Sequence, residues 1–333
     1  MALDPQLRAQ LTLPAVCAPM YRISTPALAL EACKAGLVGA LPRQNVRDLE
    51  GFDAWLQEIR DGLSAYRDAH PEARIGPLAV NARLTDDEEG RAIAALCRKH
   101  QVEIVITAMA DPTEMAKRAH DIGARIFHDV TTIRFAEKAI AAGVDGLTCI
   151  GSGGGGHSGG LNHLAFVPKV RAMFDGVIIM AGGISTGATI RAAEVLGADL
   201  AYLGTRFIAT EESRADPEYK QLLVSQTAKD LIFTHKVAGG AAMWMKESLR
   251  RVGLDPDNLP EPGPKGGHAH LPEGLKPWFN IWSAGQGIEL IEDVPTVAEL
   301  VRRLREEYVA ACAAPDFAEA ARQANRAQSV QPA

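Results

Sequence analysis

The chain alternates short β-type runs with helical patterns from its N-terminus to about residue 226, and this alternation constrains its fold more than any other feature. Several helical stretches end in the glycine that is expected just past a helix, among them Gly36 and Gly143. The eight strands exceed the number usual in a doubly wound sheet and predict an α/β fold, the TIM (β/α)8 barrel. The predicted strands are residues 15–18, 37–41, 77–81, 103–108, 125–130, 146–150, 177–181 and 200–203, and the predicted helices include residues 26–35, 52–65, 87–99, 112–120, 133–142 and 188–196.

The alternation ends at about Thr227, which predicts a smaller unit after the barrel. Residues 237–277 are rich in Gly and Pro without a clear period, as expected of a lid over a barrel mouth. A helical pattern over residues 297–314 follows them. We therefore expect a barrel over residues 1–226, a lid or substrate subdomain with a closing helix over 227–315, and a C-terminal tail over 316–333.

The composition limits the classes of protein to which the chain can belong. Its 333 residues are 47% hydrophobic with a formal net charge of −6, which allows a large core and gives no sign of nucleic-acid binding. No apolar stretch approaches the roughly 20 residues of a membrane span, and the first residues lack the order of a secretory signal, so we expect a cytoplasmic protein without membrane contact. The five cysteines are odd in number and lie in apolar segments, which indicates reduced core thiols, with neither a disulfide nor a metal site.

A glycine-rich run, residues 151–160, follows the sixth predicted strand and holds one ionisable ring, His157. Backbone N–H groups without side chains can approach a flat or phosphorylated ligand closely, and the imidazole is then the acid/base group available there. A flexible linker is the alternative, but an amphipathic segment, residues 165–174, follows the run directly. The run also matches G-x-G-x-x-G, yet residues 157–162 are not helix-forming and Asp175 precedes the next strand, against a dinucleotide fingerprint. We interpret the run as a cofactor cradle with a catalytic histidine.

Glycine turns follow the seventh and eighth predicted strands, at residues 182–187 and 204–206. TIM barrels place their active sites at the carboxyl ends of the strands. They commonly bind a phosphate at the last two of these loops, on backbone amides and a helix N-terminus. The two turns together therefore predict a phosphate site.

Several short motifs occur in the order and spacing of a known family. They are Ala18-Pro19-Met20, Asn81, Gly155-Gly156-His157, Ala181-Gly182-Gly183-Ile184 and Gly204-Thr205-Arg206-Phe207. On these motifs the chain resembles the nitronate monooxygenase family, which also holds NADH:quinone reductases and flavin enoyl-thioester reductases, and the similarity spans roughly residues 10–310. The resemblance implies a TIM barrel that binds FMN without a covalent link, with a smaller domain over the flavin.

The resemblance also implies roles for individual residues. His157 matches the family histidine that serves as base or proton relay at the substrate. The residues implied to bind the cofactor are Ala18, Pro19, Met20 and Asn81 at the flavin ring, Gly151, Gly155 and Gly156 beside the ring and ribityl chain, Gly182, Gly183, Gly204 and Thr205 at the phosphate, and Gln286 from a later loop.

The chain departs from the family pattern in the glycine run and on the fifth strand. Ile150 and Gly153 stand where relatives often have a Gln or Asp and a bulkier or acidic residue. Asp129, which the resemblance also implies to be a cofactor-binding residue, stands at the end of the matching strand, where some relatives place a lysine near the flavin. A carboxylate at this position would disfavour the anionic reduced flavin that a cation would stabilise.

Two redox functions follow from the resemblance, both on a small-molecule substrate. In the first, the protein is an FMN-dependent monooxygenase that oxidises a nitronate or related carbon acid with O2, with His157 orienting or deprotonating the carbon acid. In the second, NAD(P)H reduces FMN and hydride passes to a quinone or an enoyl thioester, with His157 as proton donor. The residues alone also leave open a non-redox barrel that binds a phosphorylated metabolite, and a homodimer is one open oligomeric state. Tyr21, Arg22, Met109, Trp244, Met245, Trp278, Phe279 and Trp282 are predicted to form a substrate wall or to pack in the core.

Overall fold

A closed barrel of eight parallel strands forms the centre of the protein, in a computed structural model that describes residues 3–263, 267–314 and 319. The predicted TIM barrel is confirmed, and every predicted barrel strand is present within one residue of its expected ends. The barrel strands are β1 (Ala15–Cys17), β2 (Val38–Pro42), β3 (Leu78–Asn81), β4 (Ile104–Ala108), β5 (Arg125–Val130), β6 (Gly146–Ile150), β8 (Val177–Ala181) and β9 (Leu200–Leu203).

Alternation along each strand sorts its side chains between the barrel interior and the surrounding helices. On β1, Val16 joins the interior cluster, whereas Ala15 and Cys17 pack in the cluster that lies under the helices. The interior cluster also contains Leu7 of the first helix and Leu11 just after it, so the N-terminal segment covers one end of the barrel. The opposite end, where the strands finish, is left for a site.

The helices surround the barrel and begin at polar caps. Helix 49–69 begins at Leu49 because the Asp48 carboxylate accepts a hydrogen bond from the Gly51 N–H, so it starts three residues before the predicted position, Phe52. The helices are α1 (Pro5–Gln10), α2 (Pro26–Lys34), α3 (Leu49–Ala69), α4 (Glu88–Lys99), α5 (Thr113–Asp121), α6 (Ile133–Ala141), α7 (His163–Arg171), α8 (Gly187–Val195), α9 (Thr205–Ile208), α10 (Pro217–Ser225), α11 (Lys246–Arg251) and α12 (Val297–Ala313).

A small antiparallel sheet lies beside the barrel and draws on two distant parts of the chain. It is formed by β7 (Gly156–His157), β10 (Leu231–Thr234) and β11 (Ala242–Met245), in the order β10-β11-β7. Its buried residues include Trp244, which packs with aliphatic side chains from the following segment. The glycine-rich run therefore contributes a strand to this sheet. The division at residue 226 stays a prediction, and the predicted tail lies outside the described residues apart from Glu319.

Helix α12 returns to the barrel and packs against α8 and α2. Cys17, Cys33, Cys97 and Cys149 are buried, whereas Cys312 on α12 is exposed, against the expectation that all five thiols lie in the core. None of the helices in the described ranges is long and apolar enough to cross a membrane.

Candidate active site

At the carboxyl ends of the barrel strands, the residues that face the barrel interior surround a common opening, the mouth of the barrel. Ala18 shares the face of Val16, and Asn81 shares that of Ala79, both of which are interior residues. Gly204 lies on the same face of β9, and a Cβ atom built on it would lie 3.7 Å from the Met20 sulfur and 3.8 Å from the Ala18 methyl. The structure therefore brings the predicted ring-side residues of β1 to the turn after β9.

The loop that carries Pro19 and Met20 is fixed by hydrogen bonds. The Met20 N–H donates to the Ser24 hydroxyl at 3.0 Å, and the Asn45 amide donates to the Met20 carbonyl at 3.0 Å. The same amide group also donates to the Ser24 carbonyl at 2.8 Å. The segment that would meet a ligand ring is therefore held in place before any ligand arrives.

Four loops converge at the mouth to form a surface with almost no side chains, which we call the cradle: residues 153–155, 182–183, 204–205 and 285–287. The Gly285 N–H donates to the Thr205 hydroxyl at 2.9 Å, and the Gln286 N–H donates to the Gly153 carbonyl at 2.8 Å. A Cβ atom on Gly155 would lie 2.7 Å from the Gly285 nitrogen, so only glycine permits this approach. The predicted residues Gly155, Thr205 and Gln286 are thus brought together.

The cradle offers backbone donors at the two predicted phosphate loops. Gly182 and Gly183 have φ of 123° and 73°, values that favour glycine. Because Ala181 pairs with Tyr202, Gly183 and Gly204 end neighbouring strands side by side. Within the described part of the chain, the N–H groups of Gly183, Gly204 and Thr205 have no hydrogen-bond acceptor. Such donors at the start of the short helix α9 suit an anionic group such as a phosphate.

A second histidine, which the sequence analysis did not identify, lies beneath the cradle. His163 begins α7 after the Asn162 cap and is only 9% exposed, and neither ring nitrogen has a partner in the described structure. A Cβ atom on Gly151 would lie 2.5 Å from its ring, and one on Gly182 would lie 2.9 Å from Nε2. Burial lowers the pKa of His163, so the ring is neutral at pH 7. The predicted Gly151 therefore makes room for this ring.

His157, the predicted catalytic residue, lies on β7 of the small sheet. Its ring packs against that of Trp278 at a centroid distance of 4.8 Å, and a Cβ atom on Gly240 would lie 2.9 Å from Nε2. The residue remains partly open to solvent, yet burial of the ring lowers its pKa, which favours the neutral imidazole at pH 7. Gly156 brings it within two residues of the cradle, or about 7 Å along an extended chain.

Asp129 lies inside the barrel at the layer below the mouth. It shares the inward face of Phe127 on β5, and its Oδ1 atom is buried without a partner in the described structure. Burial raises the pKa of this carboxyl to about 7. Near neutral pH the carboxyl is therefore partly protonated, which reduces the negative charge expected at this position. The preceding His128 points to the outer face, where its ring lies 2.8 Å from the Thr107 hydroxyl.

Asn81 reaches the mouth from β3 and has spare hydrogen-bonding capacity. Its amide group donates to the Ile106 carbonyl at 3.2 Å. The amide oxygen has no described partner and can accept a bond from a ligand at the mouth.

The predicted wall residues separate into several places. Trp244 and Met245 are buried in the small sheet, and Met109 is 85% exposed. An open cavity of about 400 Å³ is lined by another group that includes Arg22, Trp278, Phe279 and Trp282. Trp278 connects this cavity with His157.

A glycine cradle with free amides at the carboxyl end of a TIM barrel, beside an imidazole, lies where barrel enzymes place their active sites, which defines the class of the protein as a TIM-barrel enzyme. The sequence profile described as "Nitronate monooxygenase" matches residues 7–307. The chain belongs to the nitronate monooxygenase family, a family of flavin-dependent oxidoreductases.

Individual relatives agree with this assignment. The chain is 29% identical to the nitronate monooxygenase of Paraburkholderia phytofirmans, over 88% of this chain and 92% of that protein. Two solved structures share the fold. The nitroalkane oxidase of Streptomyces ansochromogenes aligns with a TM-score of 0.72 and 23% identity, over 92% of this chain and 98% of that one. FabK of Thermotoga maritima aligns with a TM-score of 0.69 and 22% identity, over 93% and 97%.

Proposed function

We propose that the protein is an FMN-dependent oxidoreductase that oxidises a nitronate or a related carbon acid with O2. The observation that carries this proposal is the convergence of the four cradle loops beside His157. The family and the nitronate monooxygenase relative support the reaction class.

The residues at the mouth fit FMN. The open amides of Gly183, Gly204 and Thr205 would hold its phosphate, and the surface at Gly155 has room for a flat or extended ligand where a side chain would clash. Ala18 and Met20 would contact the flavin ring, and the Asn81 amide oxygen would accept a bond from its polar edge. When bound, FMN would supply the electron transfer that amino-acid side chains cannot perform.

The neutral state of His157 suits it to act as a base. A carbon acid placed between the cradle and Trp278 can lose its proton to the free imidazole, because the lowered pKa keeps that ring unprotonated. Trp278 fixes the ring from one side, and the absence of a side chain at Gly240 leaves space for it. The buried Asp129 limits negative charge below the mouth through its raised pKa.

A reductase that uses NAD(P)H to reduce a quinone or an enoyl thioester is the second candidate. The specific observation in its favour is the 400 Å³ cavity next to Trp278, which is larger than a small nitronate requires. A non-redox barrel that binds a phosphorylated metabolite is the third alternative, since the cradle alone would permit it.

The first experiment is the absorbance spectrum of the purified protein, followed by anaerobic mixing with a nitronate, NADH and NADPH in separate reactions. We expect a yellow protein whose flavin is bleached by the nitronate. Bleaching by a nicotinamide nucleotide alone would favour the reductase, and a colourless protein that cannot be reconstituted with FMN would contradict both redox functions.

The role of His157 is tested with His157→Ala. We expect FMN content to be retained and kcat with a neutral nitroalkane to fall by about 100-fold or more, because proton abstraction is lost. The kcat for a preformed nitronate, which needs no deprotonation, should fall less. His268→Ala, an exposed histidine outside the cradle, is the matched control. Full turnover of the nitroalkane by His157→Ala would remove the proposed role.

A further inference from the structure

We propose that the 400 Å³ cavity beside Trp278 binds the adenosine phosphate portion of a substrate or cosubstrate. This inference rests on the second candidate function, the NAD(P)H-dependent reductase, and deepens it. The cavity is formed by the loop after β1, the start of α10, the end of α11 and the segment around Trp278. Its volume lies in the range of roughly 300–1,000 Å³ that is typical of pockets for organic ligands.

The charges on the cavity wall favour an anion. Arg22, Arg214 and Arg251 line it, in a chain whose net charge is −6. Arg22 and Arg214 have no carboxylate partner in the part of the chain that the structure describes, whereas Arg251 lies 3.4 Å from Glu218. Asp216 also lines the cavity, but its carboxylate accepts the Glu218 N–H at 2.8 Å as the cap of α10. Unpaired guanidinium groups in a concave site are typical of phosphate recognition.

One exposed aromatic ring in the same cavity, that of Phe279, suits a flat base. The Arg22 guanidinium lies 4.1 Å from the centroid of the Phe279 ring, and that of Arg251 lies 3.8 Å from the centroid of the Trp282 ring. Phe279 is 49% exposed, so one part of its ring remains available to a ligand. A purine can stack on the exposed part of the Phe279 ring while its phosphates meet Arg22 and Arg214. The Trp282 ring is only 5% exposed and is covered by Tyr219 and Arg251. Adenosine phosphates combine both features.

The cavity is held in shape by backbone that is unusual for its residues. Arg22 and Trp278 have positive φ values of 65° and 58°, which residues other than glycine rarely adopt. The Asn45 side chain accepts the Arg22 N–H at 2.6 Å, and the Arg214 Nε–H donates to the Arg22 carbonyl at 3.2 Å. Strained residues that are held in this way occur preferentially at ligand sites.

The position of the cavity explains why the adenosine phosphate portion of a reactant would be bound there. Trp278 lines the cavity and packs on His157, so a molecule anchored by Arg22 and Arg214 can extend past Trp278 towards the cradle. Two kinds of redox substrate carry a reactive group on an adenosine phosphate: nicotinamide dinucleotides and coenzyme A thioesters. Neutral quinones and small nitronates carry no adenosine phosphate.

The test is isothermal titration of ADP and of adenosine into the purified full-length protein. We expect ADP to bind more tightly than adenosine. The paired variant Arg22→Asn with Arg214→Gln should weaken ADP binding by about tenfold or more, because charged hydrogen bonds are lost. Asn is chosen at residue 22 because it tolerates positive φ. Arg134→Gln, at an exposed arginine on α6, is the control and should bind ADP as the native protein does.

Phe279→Ala provides a second variant that leaves the charges intact, and we expect it to weaken binding of ADP and adenosine alike. Equal binding of ADP and adenosine by the native protein, or native ADP affinity in the paired arginine variant, would overturn the proposal.

Steady-state kinetics identify which molecule supplies the adenosine phosphate. A KM raised by the paired variant for NADH or NADPH assigns the cavity to the cosubstrate, and a KM raised for an acyl-CoA thioester assigns it to the substrate; unchanged KM values for all of them overturn the proposal. Oxidation of a small nitronate by the native protein is measured separately, so failure of the proposed function and failure of this inference are distinguishable.

Discussion

Gly182 lies where three requirements meet: a φ of 123°, the proximity of the Gly154 nitrogen and the ring of His163. A Cβ atom there would lie 2.9 Å from both the Gly154 nitrogen and His163 Nε2. The cradle is therefore shaped by the absence of side chains on one face and by a buried imidazole on the other.

We expect Gly182→Ala to lower FMN content and to destabilise the protein by about 1–3 kcal/mol, because the new methyl group forces both a disfavoured φ and a displaced loop. Flavin absorbance per protein and urea unfolding measure the two effects. Gly160→Ala, where a Cβ atom would meet nothing within 4 Å, is the control in the same run. Native flavin content in Gly182→Ala would show that the loop does not depend on this glycine.

Asp129 makes stability depend on pH. Its pKa of about 7 in the folded protein lies above the 3.8 of an exposed carboxyl, so the folded state holds the proton more tightly than the unfolded state. Its contribution to stability is therefore fully present below about pH 4, falls as pH rises towards 7, and is constant above that.

Asp129→Asn cannot ionise, and its stability relative to the native protein should rise between pH 4 and pH 7, by up to about 4 kcal/mol at about 1.4 kcal/mol per pKa unit. Urea unfolding at several pH values measures this, with the exposed Asp68→Asn as control. A difference that does not vary with pH would mean that Asp129 titrates as an exposed carboxyl.

At the level of elements, the pairing of β7 with β11 determines where His157 lies. Residue 157 pairs with Ala242, and the backbone at Gly240 passes directly against the imidazole. This arrangement makes Gly240 a positioning residue for the ring.

We expect Gly240→Ala to lower kcat for a neutral nitroalkane by about tenfold, because its methyl group displaces the ring from the proton it must take. FMN content should be retained, and the midpoint of the pH profile should shift as the surroundings of the imidazole change. Gly263→Ala, in the same subdomain with nothing within 4 Å, is the control. An unchanged pH profile together with unchanged kcat would contradict this role.

The barrel strands were predictable because each is a short apolar run bounded by turn residues, as at 146–150 and 177–181. Strand β7 was not, because its two residues form a strand only through pairing with β11, which lies far along the chain. The early start of α3 could have been found from Asp48 as a cap.

At the scale of the whole molecule, the glycine motifs predicted which loops could meet, and the barrel topology explains why they do. The site residues drawn from the resemblance remain predictions as ligands, although the structure brings Gly155, Thr205 and Gln286 together. The protonation of Asp129 and the burial of His163 could not be predicted from sequence, because both depend on what the folded chain packs around them. For His163, the signal available was an imidazole placed directly after the helix cap Asn162.

The arginine cavity was equally hidden, since Arg22, Arg214 and Arg251 are distant in sequence and come together only in three dimensions. Arg206, by contrast, was identified in a motif beside the phosphate loop, yet it points away from the cradle. Its guanidinium is buried and pairs with Asp293 at 2.8 Å, which ties the segment before α12 to the barrel.

The glycine-rich run contributes to both the barrel mouth and the small sheet. Gly155 contacts the mouth, and Gly156 begins strand β7 of the sheet. A single peptide bond therefore separates the cradle residue Gly155 from the strand that carries His157. Any tilt of the small sheet would therefore move the His157 imidazole relative to the cradle.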